Sequence, residues 1–308
     1  MSVQAPDQAV ALATPVQKVD PAEKLRRWLM APSFIPLLLW MIVPLAMTIY
    51  FSFMRYNLLN SANTGFAWFD NYAFLAGDAS FVPAIINTVI FIGAILIITV
   101  VAGILLAVLY DQEFFGKNVA MLLVIAPFFV MPTVSALIWK NMIMHPVYGL
   151  VSLGLQRLGL APIDWFADYP LLSVIIIVAW EWTPFSFLIL VTALKSLDQE
   201  QKEAAAIDGA GPFKQFWYIV LPHLEKAIGV VVMIETIFLL SIFAEIYTTT
   251  SGGPGNATTT LAWLVYALGL QQFDAGIAAA GGILAVILAN IVAFFLVRML
   301  AKNLSQSA

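Results

Sequence analysis

Three glutamates stand inside long apolar stretches, where an acid needs a reason. Glu181 lies along Leu171–Leu194, between Trp180 and Trp182, while Glu235 and Glu245 lie in Ala227–Thr250. A carboxylate in a membrane helix costs about 2.5–3.5 kcal/mol on insertion scales at mid-span, so such acids are functional candidates by default. Each could meet a polar solute, relay an ion, or bond to a neighbouring helix, with Asn87, Thr88 and Asn290 as available partners. Aromatic faces accompany them: Trp180, Trp182 and Phe185 around Glu181, and Tyr247 after Glu245. Pro184 predicts a kink beside Glu181, as in the irregular helices that line cavities. On one continuous helix, Glu235 and Glu245 would lie about 80° apart around the axis and about 15 Å apart along it. They would share a broad face without meeting at one small ligand. Glu245 also precedes a Gly-Gly-Pro turn, which leaves gating as another role for it.

A second stretch carries chemistry of a different kind. EAAAIDGAGPFKQFWYIVLP, residues 203–222, is polar and turn-punctuated between two apolar runs. Asp198 is a good N-cap, with Gln201 as its capping-box partner. Residues 199–207 are strong helix formers. Asp208-Gly209 signals a C-cap, and Pro212 suits the first turn of a second helix reaching Val220. Pro222 predicts a break before the next apolar run. The spacing therefore predicts two short helices joined by a glycine bend. Ala204, Ala205 and Ala206 allow close approach by another surface, with Lys202 and Glu203 at the rim, which suits docking into a partner's groove. Phe213, Phe216, Trp217 and Tyr218 equally suit a helix lying flat on lipid headgroups.

The elements that would carry these residues are membrane spans. The chain has 308 residues, 62% of them hydrophobic and 10% charged, with mean hydropathy +0.93. An average soluble domain is about 25% charged. Each span needs roughly 20 apolar residues. Charge is absent over 28–54, 79–110, 118–139 and 275–297. With the two acid-bearing stretches this predicts an all-α, polytopic membrane protein of six transmembrane helices. There is no cysteine and there are two histidines, which excludes thiolate sites, disulfides and a histidine-rich metal centre. A net charge of −4 gives no basic footprint for nucleic acid. No catalytic residue is assigned.

The basic residues divide unevenly between the two sides. Eleven of the fourteen fall on the side of Lys18, Lys117, Lys202 and Lys302, and only Arg55, Lys140 and Arg157 fall on the other. The positive-inside rule places both termini in the cytoplasm, and the 203–222 segment with them. The first apolar stretch is too long for a signal h-region and reads as a retained span. Residues 1–27 read as a cytoplasmic tail, 28–304 as the transmembrane domain with a loop at 196–224, and 305–308 as a short tail. Trp28, Trp68, Trp139, Trp165 and Trp263 lie near predicted span ends, where interfacial anchors belong. A short surface helix is predicted on the outer side, around 151–160.

The cytoplasmic segment resembles the EAA loop of permease subunits in bacterial ABC importers. That pattern is EAA, three residues, Gly, nine residues, then I-x-L-P. Here it reads Glu203-Ala204-Ala205, Gly209, Ile219, Leu221 and Pro222. The stretch around GGP at 252–254 is similar to the carbohydrate-uptake branch. The resemblance implies a type I importer permease in the bacterial inner membrane. It would couple to an ATPase through Glu203, Ala204, Ala205, Asp208, Gly209, Ala210, Gly211 and Phe213. It implies a second permease, two ATPase subunits that hold ATP and Mg, an extracytoplasmic solute-binding protein, and a sugar or sugar-like solute. Carboxyls and aromatic faces suit hydroxyls and C–H patches, so Trp180, Glu181, Trp182, Phe185, Glu235, Glu245 and Tyr247 become solute-path candidates. The chain has no Walker A sequence and expects no cofactor of its own. Two other classes remain at this stage: a transporter driven by an ion gradient through the buried acids, and a non-transporting scaffold.

Overall fold

The computed structural model describes residues 21–60, 62 and 64–306. In chain order its helices are α1 (Pro21–Ser52), α2 (Asp70–Gly77), α3 (Phe81–Asp111), α4 (Lys117–Ile125), α5 (Pro132–Ile138), α6 (Leu150–Arg157) and α7 (Trp165–Asp168). There follow α8 (Pro170–Leu194), α9 (Gln199–Ile207), α10 (Pro212–Gln215), α11 (Leu221–Leu239), α12 (Ala244–Thr249), α13 (Leu261–Tyr266) and α14 (Ala275–Gln306). Two short antiparallel strands, β1 (Met54–Arg55) and β2 (Gly65–Phe66), pair Met54 with Phe66 and Arg55 with Gly65. The fold is all-α apart from this ribbon. Residues 1–47 and 48–308 form two separate units. In the first, α1 already begins at Pro21, inside the stretch expected as a tail; residues 1–20 of that tail, and 307–308 of the other, lie outside the described residues.

Among the described residues five helices are long and apolar enough to cross a membrane: Pro32–Ser52, Phe81–Asp111, Pro170–Leu194, Pro212–Leu239 and Ala275–Val292. The sixth is a broken pair, Lys117–Phe129 and Pro132–Ile143, bent by 107°. The single helix expected over 118–139 is therefore corrected. Pro127 tightens the chain into a 3-10 turn over Ala126–Phe129, and Met131 is extended before Pro132 starts α5. A proline disfavours helical backbone at the residue before it, so the break falls there.

The fifth stretch differs as well. Helix α11 stops at Leu239, and α12 restarts at Ala244, so Glu235 and Glu245 do not share one helix. The expected break at Pro222 is absent. Pro222 sits in the first turn of α11, and Phe216–Val220 forms a π-helical turn that runs straight into it. Proline's missing N–H is harmless in a first turn, and the wider turn absorbs the ring.

The packing centres on α3 and α8. Phe91 and Ile95 of α3 meet Val174 and Val178 of α8, with Leu239, Ile246 and Trp263 around them. Trp263 is therefore core here, 5% exposed, rather than an interfacial anchor. Towards the other end, Ala107 and Tyr110 meet Phe187, Leu190 and Leu194, covered by Leu224 and Val231 of α11. Gly103 permits this approach, because a Cβ there would strike Ser186 of α8. A third cluster joins Leu75 and Ala84 to Leu261, Leu264 and Ala280. The predicted surface helix is α6.

Candidate functional site

Asp198 caps α9, its Oδ1 accepting from the Glu200 amide at 3.0 Å. The helix ends in a Schellman arrangement: Ala210 N donates to Ala205 O at 2.9 Å, and Gly209 N to Ala206 O at 3.1 Å. Gly209 takes φ +81°, a left-handed conformation that glycine enters without penalty. Pro212 then opens α10, and Gln215 Nε2 donates to Ala210 O at 2.8 Å, fixing the bend. The predicted pair of helices about a glycine hinge is thus present.

Most of this segment is exposed, although Lys202 of α9 is tied to Asp111 of α3. Glu203, Ala204, Asp208, Gly209, Gly211 and Phe213 are exposed, and Ala205 and Ala210 are half-buried. Ile207 is 86% exposed and Phe213 75%. A cavity of about 570 Å³, lined by Gln201, Ala205, Asp208, Tyr218 and His223, separates α9 from the start of α11. Two exposed apolar side chains thus flank the hinge, with acids and a lysine around them.

The acids inside the bundle behave otherwise. Glu235 is fully buried, and Thr99 Oγ1 of α3 donates to its Oε2 at 2.6 Å. Its bonding partner is Thr99, not Asn87, Thr88 or Asn290. Asn87 Nδ2 donates instead to the carbonyls of Asn256 and Thr259, at 2.8 and 3.0 Å. Thr88 Oγ1 accepts from Leu261 N at 2.9 Å. Asn290 turns back on Val286 O.

Glu181 and Glu245, assigned separate neighbourhoods above, come together. Their carboxyls lie against one another with Ser135 of α5 beside them. All three residues are buried, and Glu181 Oε1 and Ser135 Oγ have no hydrogen-bond partner among the described residues. The nearby Lys140 ammonium donates to Thr248 O at 3.3 Å and Thr249 O at 2.6 Å, at the C-terminal end of α12. Trp139 and Trp180 meet edge to face close by. The break after Leu239 is what lets Glu245 reach α8, and nothing in linear spacing signals it.

The aromatic candidates form a half-buried to exposed surface of their own. Trp182 packs with Phe185 at 5.7 Å, Phe128 at 5.9 Å and Phe238 at 5.4 Å, and Phe128 stacks on Phe185 at 6.1 Å. Tyr247 meets Tyr266 at 5.5 Å, which stacks on Phe243. Sequence reasoning missed Phe128, Phe238, Phe243 and Tyr266. They come from four different segments, so no single-helix periodicity could have found them. Aromatic walls with few polar groups are the usual lining of a small-molecule site.

Comparison with known proteins identifies the family and the fold. Residues 99–306 match the family described as binding-protein-dependent transport system inner membrane component. A probable ABC transporter permease protein of Sinorhizobium fredii is 34% identical over 251 residues, covering 81% of each chain. The trehalose/maltose transport system permease protein of Thermococcus litoralis is 30% identical over 245 residues, covering 79% of this chain and 82% of its own. Among solved structures, a chain of a bacterial alginate ABC transporter in complex with an alginate pentasaccharide-bound periplasmic protein superposes with a TM-score of 0.74. It is 23% identical and covers 90% of this chain and 96% of that one, which establishes the shared fold.

Proposed function

The chain belongs to the family of binding-protein-dependent transport system inner membrane components, as a multi-pass ABC importer permease subunit, and we propose that it imports a sugar or sugar-like solute. In this reading α9 is the coupling helix. Glu203, Ala204, Ala205, Asp208, Gly209, Ala210, Gly211 and Phe213 enter a groove of an ATPase subunit on the cytoplasmic side. The observation that carries it is the hinged α9–α10 segment, which leaves Ile207 and Phe213 exposed about its bend.

Two ATPase subunits, which bind ATP and Mg, and a second permease complete the complex, and a solute-binding protein delivers the solute from outside. Both termini are cytoplasmic. ATP-driven closure of the ATPases moves α9, and the spans follow. The solute slides over the Phe128–Trp182–Phe185–Phe238 surface and past Tyr247, whose rings cover its C–H faces. Trp180, Glu181, Glu235 and Glu245 stand behind that surface and set its shape.

Uptake into proteoliposomes tests the reading. With ATP inside and the binding protein outside, the solute accumulates, and Glu203→Lys abolishes accumulation while the spans still insert. Uptake by this chain alone under a proton or sodium gradient would instead make it a secondary transporter.

A further inference from the structure

We infer that α3 is the transmission rod of this subunit, with Asp111 and Asn87 as the positioning residues at its two ends. The inference rests on the reading of α9 as the coupling helix. Helix α3 has 31 residues, a length of about 46 Å. Its last residue, Asp111, accepts a hydrogen bond from Lys202 Nζ of α9 at 2.7 Å, with side chains only 33% and 17% exposed. The pair is a direct side-chain ion pair between α9 and a spanning helix.

At the far end, Asn87 holds the segment after the Gly-Gly-Pro turn by two carbonyls, and Thr88 caps the Leu261 amide. Gly252 of that turn has φ +85°, and a Cβ there would strike the Trp263 indole, so the turn has little room to adjust independently. Between the ends, Gly103 seats α3 on α8, and Thr99 bonds Glu235 of α11.

The chain itself joins α9 to α8 through a short connection, 195–198, in which Leu197 is buried. One such connection is a pivot, which fixes a position and leaves an angle free. On its other side α9 continues through the Gly209 bend into α10 and α11, and the Lys202–Asp111 pair adds a direct attachment to α3 that takes up the remaining freedom. Displacement of α9 is then delivered to α3, and α3 delivers it to the outer turn. Coupling between the two ends is measured as an interaction between substitutions at each.

The chain has no cysteine, so Ser251→Cys supplies its one thiol beside the outer turn. In the complete importer in proteoliposomes, the labelling rate at that thiol by a membrane-impermeant maleimide is compared with and without ATP–vanadate trapping. The rate changes on trapping in the parent. Asp111→Asn shrinks the change about fivefold, and the exchange Asp111→Lys with Lys202→Asp restores it. Asn87→Ala shrinks it as well, and adding Asp111→Asn to Asn87→Ala shrinks it no further. A full response in Asp111→Asn, no recovery in the exchange, or independent additive losses would overturn the rod. Glu203→Lys separates the two levels. If it abolishes the response while Asp111→Asn does not, only the rod fails. If it too leaves the response whole, the coupling-helix reading fails.

Discussion

Thr99 Oγ1 and Glu235 Oε2 lie 2.6 Å apart in a site where Glu235 has no exposed surface, and they join α3 to α11. In this structure the carboxyl bonds to a neighbouring helix within the bundle. Interhelical bonds of this kind average about 0.6 kcal/mol and reach about 1.7. Glu235→Gln keeps an acceptor for Thr99 and changes little. Glu235→Ala removes it and opens a void, lowering stability of the detergent-solubilised complex by about 1–3 kcal/mol. Thermal unfolding checks this, with KM for uptake unchanged in whatever folds.

The hinge predicts a graded response to substitution. Space around Gly209 is open, so only its backbone conformation constrains the residue. Asn enters the left-handed region more readily than Val, whose branched side chain is an outlier there. Gly209→Asn is therefore mild, and Gly209→Val costs about 1–2 kcal/mol locally and releases the ATPase. Co-purification of the ATPase subunit with each variant measures the order.

The aromatic surface predicts a kinetic signature. Trp182 contacts Phe128, Phe185 and Phe238, and such pairs are worth about 0.5–1.5 kcal/mol each. Trp182→Leu keeps an apolar side chain and removes the flat face. Uptake at limiting solute then falls roughly two- to tenfold, while ATP hydrolysis without solute stays level. Equal loss of both would assign Trp182 to packing.

Glu181 and Glu245 face each other, so their substitutions do not add. Glu181→Gln and Glu245→Gln each replace one member of the pair, and the double variant differs from the sum of the singles by about 0.5–3 kcal/mol. Simple additivity in a thermal-stability cycle would contradict the contact.

Much of this architecture was legible because the membrane restricts the choices. Apolar length alone marks α3, α8 and α14, and Asp198, Gly209 and Pro212 mark the cytoplasmic segment through capping chemistry that is entirely local. The breaks were less legible. Pro127 and Pro132 bend the third stretch by 107°, whereas Pro222 bends nothing, because a proline's effect depends on whether a first turn absorbs it. No proline or glycine stands at residues 240–243, where α11 ends. The pairing of Glu181 with Glu245 follows from that break, and pairwise contact across helices leaves no trace in spacing. The same holds for Thr99, one hydroxyl among many until α11 is laid against it.

The account stands on α9 entering the ATPase, and one crosslinking measurement addresses that directly. In this cysteine-free chain, Ala204→Cys carries a single thiol on the exposed face of α9. A short thiol–thiol crosslinker in the assembled importer should join that position to an ATPase subunit bearing a groove cysteine, with a yield that changes on adding ATP. If the thiol is instead freely labelled by a water-soluble maleimide while the complex is intact and hydrolysing ATP, and no ATPase crosslink forms, α9 is not the coupling element.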